Sequence, residues 1–175
     1  MAKRGFIVKK EIIINSPAEN VWEMVGPGFT NVHHWASNVD HAMGKGTSSI
    51  EGASCDVRHC QVSVKGFDKI SERLTDYNNE DRTLTYEVIN GMPGFIALAQ
   101  NKWKVAAKNE GQSILMMEAE FQLKGVIGLL MKRIMKGKMS DTLDIVLNDA
   151  KYYAEHGTAS PAKLRRLEKM RKKVA

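Results

Sequence analysis

The chain changes texture three times. Its opening stretch, "RGFIVKKEIIIN", mixes apolar and polar positions as a strand with one buried face does, and "SPAENVWEMV" follows at once. In that second stretch Val21, Trp22 and Val25 share a helical face, Ser16 can cap, Pro17 suits the first helical position and Glu19 completes a capping box. Gly26, Pro27 and Gly28 end the helix. A second short helix is expected over residues 29–34. From residue 39 the period falls to two, with strands expected at 39–43, 54–64, 67–77, 83–90, 95–107 and 112–123. The links "VKGF", "NNEDR", "GMPG" and "KNEG" are short and rich in turn-forming residues, so consecutive strands should be neighbours in a meander.

After Leu123 the period lengthens again. Ile127, Leu130, Ile134, Met139, Leu143, Val146, Ala150 and Tyr153 recur at near-helical spacing, which predicts one helix of about seven turns with Gly137 as a weak point. The expected order is a strand, two short helices, six antiparallel strands and a long helix, an α+β architecture. A sheet with one apolar face must cover it, and the last helix is the only expected element long enough to do so.

Charge divides the chain. The 175 residues carry a net charge of +6. From Gly157 onward seven basic residues face Glu168 alone, which leaves 19 basic and 19 acidic side chains in residues 1–156. The reading is one domain over 1–156 and a basic tail over 157–175, partly helical or flexible, and no nucleic-acid partner is expected for the domain. The tail carries a thin stripe of Leu164, Leu167, Met170 and Val174 among cations. Three readings fit it: a solvated terminus, a helix docking on the domain or a partner, or an electrostatic anchor for anionic lipid or nucleic acid. No run of about 18 apolar residues is present, and the basic start leads to no cleavage site, so a cytoplasmic protein is expected. Cys55 and Cys60, read on one strand, would stand about 16 Å apart along it and cannot pair, so they read as packing residues of a reducing compartment.

The stretch "TNVHHWASNVD" draws the eye to metal chemistry. His33 and His34 are consecutive, so on a helix they diverge by about 100° and cannot clamp one ion. They read as rim residues, with a histidine general base as the sharper alternative. No metal-ligand spacing, phosphate loop or nucleophile elbow is present, and no cofactor is expected.

Taken together, "IIINSPAENVWEMV", Trp35, "SCDVRHCQV", "DKISERLTDYNNEDRTLTYEV" and the terminal amphipathic helix resemble the START, polyketide-cyclase and birch-pollen-allergen superfamily, the helix-grip fold, over residues 6–154. The resemblance implies a curved seven-stranded antiparallel sheet wrapped around the long helix. It also implies a mostly apolar cavity between them, opening near the short helices and the "GMPG" loop, with Trp35 near its mouth.

Strand parity then selects the lining. Arg58 and Cys60, Glu72, Tyr86, Trp103, and Met117 with Phe121 fall on inward faces, and Ile134 and Met139 are assigned to the helix side. The polar members are Arg58, Glu72 and Tyr86. One reading makes Arg58 and Glu72 a structural ion pair under the helix. The other gives Arg58 a ligand oxygen to hold, Glu72 a proton to accept and Tyr86 a hydroxyl to donate. The glutamate-to-tyrosine spacing in "ERLTDYNNEDRTLTY" is similar to that of lachrymatory factor synthases, although the hairpin between Arg58 and Glu72 is shorter here. The expected function is binding of a small aromatic, polyketide-like or lipid-like molecule. The alternatives are a cofactor-independent cyclase, dehydratase, isomerase or lyase using the same trio, and a protein-interaction module with a vestigial pocket. Methionines 116, 117, 131, 135 and 139 would make such a lining adaptable.

Overall fold

Seven strands form one antiparallel sheet in the order β1-β7-β6-β5-β4-β3-β2. The structure is a computed structural model and describes residues 4–64 and 67–174, with the side chains of all of these but residues 64, 67, 173 and 174. The strands are β1 Gly5–Ile14, β2 Val39–Lys45, β3 Val57–Val64, β4 Phe67–Asn78, β5 Thr83–Asn90, β6 Ile96–Asn109 and β7 Gln112–Leu123. Helix α1 spans Ala18–Val25, a 3-10 helix spans Phe29–His34, α2 spans Gly125–His156 and α3 spans Pro161–Val174. The order and the meander match the sequence pattern, because each short turn leaves its two strands side by side. Lys65 and Gly66 of the expected "VKGF" link lie outside the described residues, as does the side chain of Val174 in the tail stripe.

The period-two pattern is cleanest in β7, where Ser113, Leu115, Met117, Ala119, Phe121 and Leu123 are buried in strict alternation. Phe121 lies opposite Phe6 on β1, and their rings stack at 5.1 Å. In β4 the parity slips. Leu74 pairs Tyr86 and Asp76 pairs Thr85, so one extra residue bulges there and Tyr77, not Asp76, turns inward against Trp22.

Three local readings differ from the structure. The position before α1 is Pro17, which makes no side-chain cap, and Glu19 pairs with Arg82 across the molecule rather than closing a capping box. Cys55 precedes β3 rather than lying on it, because Asp56 turns away to accept bonds from Ser48 and Ser49. Both cysteines are free and buried.

Helix α2 runs 32 residues, longer than the apolar repeat implied. Its second half is fastened to β1 by the Lys10–Asp144 ion pair at 2.8 Å and by Lys151, whose Nζ donates to the Ile13 carbonyl at 2.8 Å. Leu143, Val146, Leu147 and Ala150 supply the buried face. Its first half differs: Gly128 alone is buried there, and Met131, Met135 and Met139 are half-buried.

Gly157 ends α2 in the left-handed conformation, with φ of 69°, and donates to the Tyr153 carbonyl at 2.8 Å. Helix α3 is then pinned to the start of β2. Lys163 is 0% exposed and donates from Nζ to the Val39 carbonyl at 2.5 Å. Arg166 grips Asp40 with two bonds, at 2.7 and 2.5 Å. Buried Asp149 of α2 accepts from the hydroxyl of Ser160, in the turn between the helices, at 2.5 Å and from the Ser37 amide at 2.7 Å.

Candidate functional site

Arg58 on β3 and Glu72 on β4 are directly opposite in register, so both side chains rise from the sheet at one place. Both are buried, and Arg58 Nε donates to Glu72 Oε2 at 2.5 Å. Two buried opposite charges hold each other this way because either one alone would be costly in an apolar interior. A second guanidinium nitrogen donates to the Phe29 carbonyl at 2.5 Å. The guanidinium plane is flanked by aromatic faces, with Cζ 3.8 Å from the Phe29 ring centroid and 5.0 Å from that of Tyr86.

Cys60, two residues along β3, donates from Sγ to the same Glu72 oxygen at 3.4 Å. Its burial pushes the thiol pKa up to about 12, against the pull of Arg58, so it stays a thiol. Burial works against the Arg58 charge, but the Glu72 carboxylate, with smaller contributions from Cys60 and Tyr86, holds the guanidinium above its ordinary pKa. The Tyr86 phenol is pushed above its ordinary value by burial first and by Glu72 second, so it remains a protonated donor.

Over this group sit the 3-10 helix and the end of α1. Gly28 permits the approach: a Cβ there would stand 2.4 Å from the Met24 carbonyl oxygen. The chain can then turn tightly enough to set Phe29 on Arg58. Between the two layers is a void of only about 10 Å³, lined among others by Met24, Phe29, Trp35, Arg58, Tyr86 and Trp103. That is room for about one water and for no organic ligand. A separate depression of about 380 Å³ lies on the outer side of the same layer, bounded among others by Asn31, His34 and Tyr153. The void and the depression share Met24, Gly28 and Trp35 as walls.

The residues singled out from the sequence therefore divide. Arg58, Cys60, Glu72 and Tyr86 meet in one cluster, with Trp35 and Trp103 beside it, their rings 6.3 Å apart. Met117 and Phe121 are buried on β7 and do not line the void, and Phe121 is committed to Phe6. Met139 is half-buried against the core. Ile134 must be corrected: it is 53% exposed. Nine positions separate it from buried Leu143, which on an α-helix is about a half turn, so the two point in opposite directions. The space expected between the sheet and the long helix is also not where the void lies, because no residue of α2 lines it.

Sequence reasoning missed Phe29 and Met24. Phe29 and Val32, three apart after "GPG", carried the signal of a short helix facing the sheet. Of the histidines, His33 is half-buried with its ring 4.3 Å from His34 and 5.5 Å from His41, whereas His34 and His41 are exposed. Among the described residues no group of three or more His, Cys, Asp or Glu side chains is placed to hold a metal ion.

Residues 6–149 match the family described as polyketide cyclase / dehydrase and lipid transport. The chain belongs to that family. No curated protein matches it significantly. Solved structures share the fold at low identity, as the curved sheet and long helix of the polyketide cyclase / dehydrase family require. The Zhui aromatase/cyclase from Streptomyces sp. R1128 is 15% identical with a TM-score of 0.71, covering 86% of this chain and 94% of its own. A START superfamily protein from Mycobacterium smegmatis is 11% identical with a TM-score of 0.69, covering 87% and 99%. An uncharacterised protein from Bacillus thuringiensis is 22% identical with a TM-score of 0.60, covering 82% and 97%. The helix-grip architecture of this chain is that of its family.

Proposed function

We propose that the protein binds a small, largely apolar molecule with one carbonyl or carboxylate oxygen, in the space over Arg58. The observation that carries the reading is the Arg58–Phe29 bond. A buried guanidinium framed by aromatic rings spends one nitrogen on a backbone carbonyl of a short, glycine-hinged segment. A ligand oxygen can take the place of that carbonyl, and the ligand's apolar body can then lie against Trp35, Tyr86 and Trp103. If Met24 and Trp35 swing aside, the void and the outer depression merge into roughly 390 Å³, taken as the sum of the two volumes. That lies within the usual range of about 300–1,000 Å³ for small-molecule sites. The family description, which includes both cyclases and lipid transport, supports the same class of ligand.

The second reading uses the trio for cofactor-independent acid–base chemistry such as cyclisation, dehydration, isomerisation or elimination. The protonated Tyr86 donor beside Arg58 and the likeness to the Zhui aromatase/cyclase favour it. The Glu72 contacts weigh against it, since the oxygen nearest Arg58 is already occupied by a guanidinium and a thiol.

Native mass spectrometry of the protein purified from its own host tests the binding reading. A small-molecule adduct is expected on the wild type and is expected to be lost in Met24→Trp, which plugs the shared wall. Bare polypeptide mass in both, with tryptophan fluorescence unmoved by aromatic carboxylic acids, would overturn it in favour of a vestigial pocket. An adduct that survives Met24→Trp would overturn the location.

A further inference from the structure

The first half of α2 is apolar on the side that faces water. Val126, Ile127, Leu129 and Leu130 are 74%, 63%, 62% and 73% exposed, and Ile134 is exposed with them. At about 100° per residue these five cover an arc of about 160°, opposite the side carrying Gly128, Met131 and Met135. A helix apolar around nearly its whole circumference belongs in a core or a lipid phase, and this one is in neither. The charge around it is one-sided. Between Glu120 and Asp141 there are five basic residues and no acidic one. Lys124, Arg133, Lys136 and Lys138 are exposed and form no ion pair among the described residues. Lys136 and Lys138 fall at the two borders of the apolar arc and Arg133 falls within it, on stems long enough to carry their charges past the aliphatic surface. The even balance of residues 1–156 conceals this cluster, because the compensating carboxylates lie elsewhere.

We propose that this half of α2 is a docking surface for an anionic lipid membrane. The helix would lie in the headgroup region, with its aliphatic arc in the acyl boundary and its cations among the phosphates. A second copy of the chain is a poor occupant, since a two-fold contact would set like charges against each other with no carboxylate between them. Nucleic acid would satisfy the cations but leave five aliphatic side chains against phosphate. A partner helix reads a narrow seam, whereas this face is broad, as suits a fluid apolar phase. No described helix is long and apolar enough to cross a membrane, so the contact is peripheral. The surface is separate from the cluster over Arg58, and the inference does not rest on the proposed ligand.

The test is flotation of the full chain with vesicles of phosphatidylcholine alone and of equal parts phosphatidylcholine and phosphatidylglycerol. Co-flotation with the anionic vesicles, weakened by salt, is expected. Leu130→Glu/Ile134→Glu and Lys136→Glu/Lys138→Glu should each reduce partitioning by about tenfold or more, while Lys169→Glu/Lys172→Glu on α3 retains it within about twofold. The changed positions are exposed, so thermal melts should coincide with wild type. Because Trp22, Trp35 and Trp103 are all buried, Leu130→Trp gives the protein one exposed indole, whose emission should shift to the blue on anionic vesicles. No flotation would overturn the proposal, as would flotation lost only in the α3 variant or an unshifted Leu130→Trp emission. A dimer in light scattering that Leu130→Glu/Ile134→Glu disperses, without vesicle binding, would give the surface to a second copy instead.

Discussion

At Arg58 a buried guanidinium and a thiol share one oxygen of the Glu72 carboxylate, and the energetics are asymmetric. Removing one partner strands the other, so Glu72→Ala should cost about 3–5 kcal/mol in urea denaturation. Removing both with apolar residues of similar size, Arg58→Met/Glu72→Leu, should recover most of that loss. A double variant as unstable as the single one would show that the pair's role is not mutual neutralisation. His33 gives a pH-dependent counterpart. Burial first, then His34 and His41, and to a smaller degree Lys163, hold its pKa below 6.5, although a hydrogen bond with the Thr30 backbone pulls the other way. The folded state therefore prefers the neutral ring. Between 6.5 and the lowered value the unfolded chain binds more protons, so stability should fall as pH drops through that window and level off below it. Melting temperature followed against pH should show a shallower fall in His33→Asn than in wild type; parallel curves would remove His33 as the cause. Arg58, Glu72 and Tyr86 were legible in the sequence because period-two alternation holds around Arg58 and Cys60 on β3, from Glu72 to Leu74 on β4 and from Leu84 to Tyr86 on β5. Ile134 was misread because apolar residues occur on both sides of α2, and periodicity names no inward side when both are apolar.

Among the elements, the 3-10 helix covers Arg58 through Phe29, and its placement depends on close backbone contact at Gly28. A methyl there would meet the Met24 carbonyl at 2.4 Å, a backbone atom that cannot rotate away. Gly28→Ala should therefore lift Phe29 from Arg58 and cost about 1–3 kcal/mol, as overpacking does. Hydrogen exchange should report it as faster exchange confined to the α1 end and the 3-10 helix; uniform destabilisation would mean the segment is not an independent cover. Strand order and number were legible because the turns are short. The β4 bulge was not, since nothing in "RLTDY" distinguishes one continued alternation from one shifted by a residue. The docking of α3 was one of three open readings of the tail, and the sequence could not select it: Lys163 reads as one cation among seven, and only the tertiary fold supplies the Val39 carbonyl and the nearby Asp40 and Asp149 that make its burial tolerable.

At the scale of the molecule, α3 reaches a boundary of the sheet. The sheet order leaves β1 and β2 as its two edges. An edge strand offers unpaired backbone groups to any other strand, and proteins cover such edges or set charge upon them. The second half of α2 lies along β1, and α3 is pinned to the start of β2, with Lys163 on the Val39 carbonyl and Arg166 clamped on Asp40. Ending the chain after Gly157 would remove both contacts and leave Asp149 without Ser160, a buried acceptor whose lost partner costs about 1–3 kcal/mol by itself. The truncated protein should melt earlier. It should also associate as its concentration rises in sedimentation velocity, because the uncovered β2 can add a strand. Full-length protein with Arg166→Ala keeps the rest of α3 and should lose some stability while staying monomeric under the same conditions. A truncated form that melts early but sediments as a monomer at every concentration would limit α3 to clamping the fold, with no part in protecting the sheet edge.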